Sequence, residues 1–135
     1  MINTIATAIK DGINAETFSQ VIVSETAKVV NTHLEDISDL SVYVVPISEE
    51  TEIFSRSSDK ETYTLHVGLQ APSTTQTELD VYIDLAREVK DYLNRTNYGT
   101  ANFTSVNYST LFVPDDFVEN GVFTGIITVI YEVFT

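Results

Sequence analysis

Apolar residues recur along the chain with two different periods, and the change of period marks out its elements. Ile2, Ile5, Ala6, Ile9 and Ile13 fall at helical spacing and share one stripe. With Lys10 suited to a last turn and Gly12 to a stop, the spacing predicts a short helix over about Ile2–Asp11. A second helix is predicted over about Thr77–Asn94. Leu79, Tyr82, Ile83, Ala86, Val89 and Leu93 mark its apolar face, and Asp80, Asp84, Arg87, Glu88, Lys90 and Asp91 its polar face. Thr75 or Thr77 can cap it. Elsewhere the period is two. Tyr63, Leu65, Val67 and Leu69 alternate with Thr62, Thr64, His66 and Gly68, the pattern of a strand with one buried face. Val42–Ile47 is a near-continuous apolar run, as in a central strand, with Pro46 at its end where a missing N–H costs least.

Phe103–Val113 reads as a strand with Val106, Tyr108 and Phe112 on one side. The last strand is Val122–Phe134: Phe123, Gly125, Ile127, Val129, Tyr131 and Val133 share one face, and Ile126, Ile130 and Phe134 lie on the other among Thr124, Thr128 and Glu132. Phe18–Val30 reads as a bent strand whose middle, Ser24-Glu25-Thr26, is partly solvated. The polar stretch from Asn31 places Leu34, Ile37 and Leu40 on the core, Asn97-Tyr98-Gly99 is a turn, and Pro114–Gly121 is an acidic loop. Between the strands around Val42 and Tyr63, the charge-dense segment 48–60 is a long hairpin arm or a mobile loop. Helices and strands do not alternate as βαβ units. The expected fold is therefore α+β, a mostly antiparallel β-sheet with two α-helices packed on one side, in a single domain over 1–135.

Charge adds a constraint on partners. Twenty acidic residues against seven basic ones give a net charge of −13. Such a surface repels nucleic-acid phosphates and anionic membranes, leaving a soluble acidic surface, a DNA mimic, or a wall past which DNA slides without sticking. No apolar run approaches membrane-spanning length, and residues 1–10 lack the pattern of a signal peptide. The chain contains no cysteine, so disulfides and thiolate chemistry are excluded.

Candidates for catalysis are few. His33 and His66 are far apart, and His66 on the polar side of a strand reads as an ordinary solvated histidine. No glycine-rich loop precedes a helix, and no metal-binding spacing of histidines or acids occurs. Asp115-Asp116 and Glu49-Glu50-Thr51-Glu52 read as solvated acidic segments. The expectation is a non-enzyme without catalytic, cofactor or metal residues. Tyr98, Phe117 and Phe134, in turns or at an end, suit a protein interface or packing beneath a loop.

The layout resembles a known family. After the first helix, Ala15-Glu16-Thr17-Phe18-Ser19 leads into a strand, and Leu34-Glu35-Asp36-Ile37-Ser38-Asp39-Leu40-Ser41-Val42-Tyr43-Val44-Val45-Pro46 follows. An acidic arm ending in Ser55-Arg56, the Tyr63–Gln70 strand, an amphipathic helix and the Phe123–Tyr131 strand complete it. This resembles the neck proteins of tailed bacteriophages, most closely the tail terminator or tail completion family. The resemblance implies a structural virion protein at the head–tail junction, made in the host cytoplasm. It would form a ring of its own copies, a homohexamer, which caps the tail tube, ends its growth and joins it to the head-side connector or stopper protein. Genomic double-stranded DNA would pass through without specific binding, and no membrane is involved. On this view Glu49, Glu50, Glu52, Arg56, Asp59 and Lys60 are the candidate interface residues of the arm, with Arg56 or Lys60 meeting an acidic neighbour. The other readings are a head-side adaptor or stopper of the connector and an acidic DNA-mimic inhibitor.

Overall fold

The clearest alternating stretch of the sequence lies at the middle of the sheet. In the computed structural model, which describes residues 1–20, 24–27 and 39–135, the elements are α1 (Ile2–Ala15), β1 (Ser24–Thr26), β2 (Ser41–Ser55), β3 (Ser58–Pro72), α2 (Gln76–Leu93), β4 (Asn102–Thr110), α3 (Pro114–Asn120) and β5 (Val122–Phe134). The strands form one five-stranded sheet in the order β1-β2-β3-β5-β4. β2, β3, β5 and β4 pair antiparallel, while β1 runs parallel to β2. The α+β expectation holds; the sheet is mixed through the one parallel pairing of β1, and the described residues contain three helices where two were expected.

One face of the sheet carries the core. Val42 and Val44 of β2, Tyr63, Leu65, Val67 and Leu69 of β3, and Phe123, Ile127, Val129, Tyr131 and Val133 of β5 are all buried in it. Ile5, Ala6, Ile9 and Ile13 of α1 and Leu79, Leu85, Ala86, Val89 and Leu93 of α2 pack into the same cluster, so both long helices cover that face. Fully burying each of the larger of these side chains is worth about 1.5–3 kcal/mol. Leu85 lies outside the stripe read from the sequence. It follows Tyr82 and precedes Val89 at helical spacing, so the buried arc of α2 is wider than one narrow row.

Four segments differ from the expectation for identifiable reasons. α1 runs on through Gly12 to Ala15, because Ile13 is fully buried and needs one more turn. Gly12 is a point of close approach: an added Cβ would stand 2.5 Å from the Tyr92 hydroxyl and 3.2 Å from that of Tyr98. Pro46 lies within a long β2 rather than at its end. The ladder shifts register between Pro46 and Ser48, a bulge at the residue that cannot donate. Of the strand expected over Phe18–Val30, the described residues show Ser24–Thr26 as strand; residues 21–23 and 28–38, with His33, Leu34 and Ile37, lie outside the described residues.

The acidic loop 114–121 is the helix α3. Pro114 opens it, Asp115 and Asp116 occupy its first turn, and Gly121 closes it in the left-handed region at φ 62°. The positional logic of proline first and glycine last was present in the sequence. β4 ends at Thr110, and Phe112 packs on the core from beyond it.

The second helix begins as its capping signal indicates. The Thr75 hydroxyl accepts the Glu78 N–H at 3.2 Å, and Glu78 lies in the positive first turn. Thr75→Ala is expected to cost about 1 kcal/mol in chemical denaturation, with the slope of the unfolding curve unchanged.

Candidate functional site

Segment 48–60 is an ordered hairpin. β2 and β3 stay paired from Ser41↔Gln70 out to Ser55↔Ser58, so only Arg56 and Ser57 form the turn. The inner strand of the arm is held from its other side by β5, which pairs with β3 as far as Lys60↔Phe134. Beyond that, Asp59 and Thr135 exchange backbone hydrogen bonds at 2.9 Å each. The outer strand is an edge: β1 pairs only with Val42–Val44, and among the described residues no strand borders β2 from Pro46 to Ser55. Glu49, Glu50 and Glu52 line that edge, a placement of charge that discourages unspecific strand addition.

The six expected arm residues have separate roles. The Glu49 carboxylate accepts the Ile2 N–H at 3.3 Å, giving the start of α1 an acceptor that its own first turn lacks. Lys60 bridges its two neighbouring strands, 2.7 Å from Glu52 of β2 and 3.7 Å from Glu132 of β5. The hydrogen bond and charge of Glu52 raise the Lys60 pKa above its ordinary value. Glu49, Glu52 and Lys60 therefore hold the arm together. Lys60 is accordingly a poor interface cation. Glu50, Arg56 and Asp59 remain exposed, and Arg56 at the turn has no ion pair among the described residues.

The arm's end is also apolar, which the charge-dense sequence concealed. Ile53 is 84% exposed, Phe54 65% and Phe134 48%. The Phe54 and Phe134 rings meet edge to face with centroids 5.0 Å apart. Phe54, Lys60, Glu132 and Phe134 share the face turned away from the helices, and Ile53 lies on the opposite one. Of the aromatics read as interface or packing residues, Phe134 is exposed, whereas the Tyr98 ring packs edge to face on Tyr131 in the core.

A second apolar feature lies at the other end of the sheet. Leu79, Asp80 and Ile83 of α2 face Phe112, Phe117 and Val118 across a groove of about 390 Å³. Val118 is 78% exposed on its rim. Phe117, in α3, is half-buried with its ring packed against the core, which accounts for its position without exposing the ring.

The face of the sheet opposite the long helices carries Tyr43, Val45, Thr64, His66, Ile126, Thr128 and Ile130. His66 sits between Val45 and Thr128 and is half-buried rather than solvated, and burial lowers its pKa below the ordinary 6.5. A lowered value means that the unfolded chain takes up the proton first. Acidification through 6.5 therefore destabilises the fold, and the effect disappears above it. His66→Gln is expected to lose less stability than the parent between about pH 7 and pH 5, measured as denaturant midpoints. Among the described residues no three His, Asp or Glu side chains converge on a point that could hold a metal ion, and no helix is long and apolar enough to cross a membrane.

A comparison with models of known protein families finds no match for this chain, and a comparison with curated proteins finds no significant match.

Proposed function

We propose that this protein is a ring-forming structural component of the head–tail joint of a tailed bacteriophage, of the tail terminator type. The resemblance of layout provides the prior. The observation that carries the reading is the arm: a fully paired hairpin that bears exposed Ile53, Phe54 and Phe134 at its end. A small domain that functions alone has little reason to expose two phenylalanines and an isoleucine together, while a subunit reaching towards another chain does. The net charge of −13 supports the same reading, since a channel poor in cations does not retain passing DNA.

In this role the ring of copies caps the tail tube and presents its other surface to the head-side connector, while DNA passes through the centre. The chain acts by shape and contact, without a catalytic step. The test is to label purified virions with a gold-conjugated antibody against the protein and image them by electron microscopy. Gold at the head–tail junction is the expected result. Virions free of the protein overturn the structural role and redirect attention to a basic protein that this acidic chain would block.

A further inference from the structure

We infer that the arm's end docks in the α2–α3 groove of a second copy of this chain, so that successive copies join head to tail. The inference rests on the self-association in the reading above and specifies its contact surfaces. Three observations carry it.

The first is complementary shape. The arm ends in a protruding apolar knob, Phe54 against Phe134, with Ile53 on its other face. The groove between α2 and α3 is concave and apolar, about 390 Å³ in volume and floored by Leu79, Ile83, Phe112 and Phe117. A space of that size accepts a large side chain.

The second is complementary charge. Arg56 projects at the arm's turn without an ion pair among the described residues. Asp80 lines the groove, and Asp115, Asp116 and Glu119 lie on the short helix that forms its wall. A cation carried on an apolar knob therefore meets an anionic rim, which favours encounter and fixes orientation. With seven basic residues against twenty acidic ones, a contact that places Arg56 beside carboxylates offsets part of the repulsion between copies.

The third is position. The arm lies at the Lys60↔Phe134 end of the β3–β5 ladder and the groove at the Pro72↔Val122 end, about 40 Å away at the usual rise per residue. A contact between two different patches is heterologous and propagates, closing into a ring when the rotation allows. A reciprocal two-fold dimer would instead lay two strongly acidic chains side by side along their length, against their mutual repulsion.

The chain has no cysteine, which gives the test a clean background. Ser57→Cys, in the arm's turn beside the intact Phe54–Phe134 knob, and Val118→Cys on the groove's rim, both at exposed positions, are mixed in equal amounts at high concentration and treated with a short bismaleimide. Circular dichroism confirms that each is folded. The expected product is a mixed dimer that predominates over both homodimers, with the 57–118 link found by mass spectrometry. A double variant carrying both substitutions should give a ladder extending past the dimer. Homodimers linked at position 57, a ladder that stops at two, or no linked product each overturn the head-to-tail docking. Unlinked oligomers seen by ultracentrifugation alongside any of these results would leave the ring reading standing on another surface. Absence of oligomers together with absence of label on virions would remove both.

Discussion

Phe123→Ala is expected to remove about 3–5 kcal/mol of stability, the usual cost of deleting a fully buried aromatic ring. Total stabilities of domains are about 5–15 kcal/mol, so the variant should be near the limit of folding. Phe123 is 0% exposed, stacks on Tyr82 at 5.9 Å between centroids, and stands at the start of β5, paired with Ala71. Its ring also lies over Gly125, where an added Cβ would meet the Phe123 ring at 2.9 Å and the Leu111 carbonyl oxygen at 3.0 Å. Gly125→Ala alone should therefore cost about 1–3 kcal/mol through overpacking. The two changes should not add. In the Phe123→Ala background the new methyl group enters the space left by the ring, and the double variant should be more stable than the sum by at least about 0.5 kcal/mol. Denaturant midpoints at constant slope measure this cycle. Additive costs would show that the ring does not determine the need for glycine.

The same pair illustrates what the sequence disclosed. Both long helices, the central hairpin strands and the inward face of β5 were legible because burial imposes periods of 3.6 and two on long segments. Phe123, Gly125, Ile127, Val129, Tyr131 and Val133 were assigned to one face from alternation alone, and the sheet places them there. Elements defined by few residues were harder to read. α3 has seven residues and none of them is buried, so no apolar stripe could reveal it; its proline and glycine were the available signal. The parallel pairing of β1 rests on three residue pairs and leaves no trace in a local pattern. Gly12 reads as a stop by its identity and as a contact by its surroundings, and only the positions of Tyr92 and Tyr98 distinguish these.

The candidate arm was legible as a segment but not as a surface. Six charged residues drew attention to 48–60, and three of them, Glu49, Glu52 and Lys60, turn out to stabilise the hairpin and the start of α1. The partner of Phe54 is Phe134, distant in sequence and adjacent only because β5 runs alongside the arm. The groove is assembled from α2, the residues after β4, and α3, so no single stretch announces it.

Phe54→Asp is expected to weaken association between copies by at least about 2 kcal/mol, roughly thirtyfold, the scale of a central aromatic anchor. The substitution removes the knob and directs a carboxylate at an apolar groove rimmed by Asp80, so burial and charge act in the same direction. Its effect on the isolated fold should be small. Phe54 is 65% exposed, and its aromatic contact with Phe134 is worth about 0.5–1.5 kcal/mol. Thermal unfolding should shift little while sedimentation shows loss of oligomers, and particles carrying the variant should have heads and tails that fail to join. Arg56→Glu should weaken association less and mainly at low salt, since it leaves the knob intact. If Arg56 meets Asp80, adding Asp80→Lys to Arg56→Glu restores part of the loss, because the pair is then reversed rather than broken. Unaltered association in Phe54→Asp, with the fold preserved, would mean that the exposed apolar end faces the tail tube or the connector rather than a second copy.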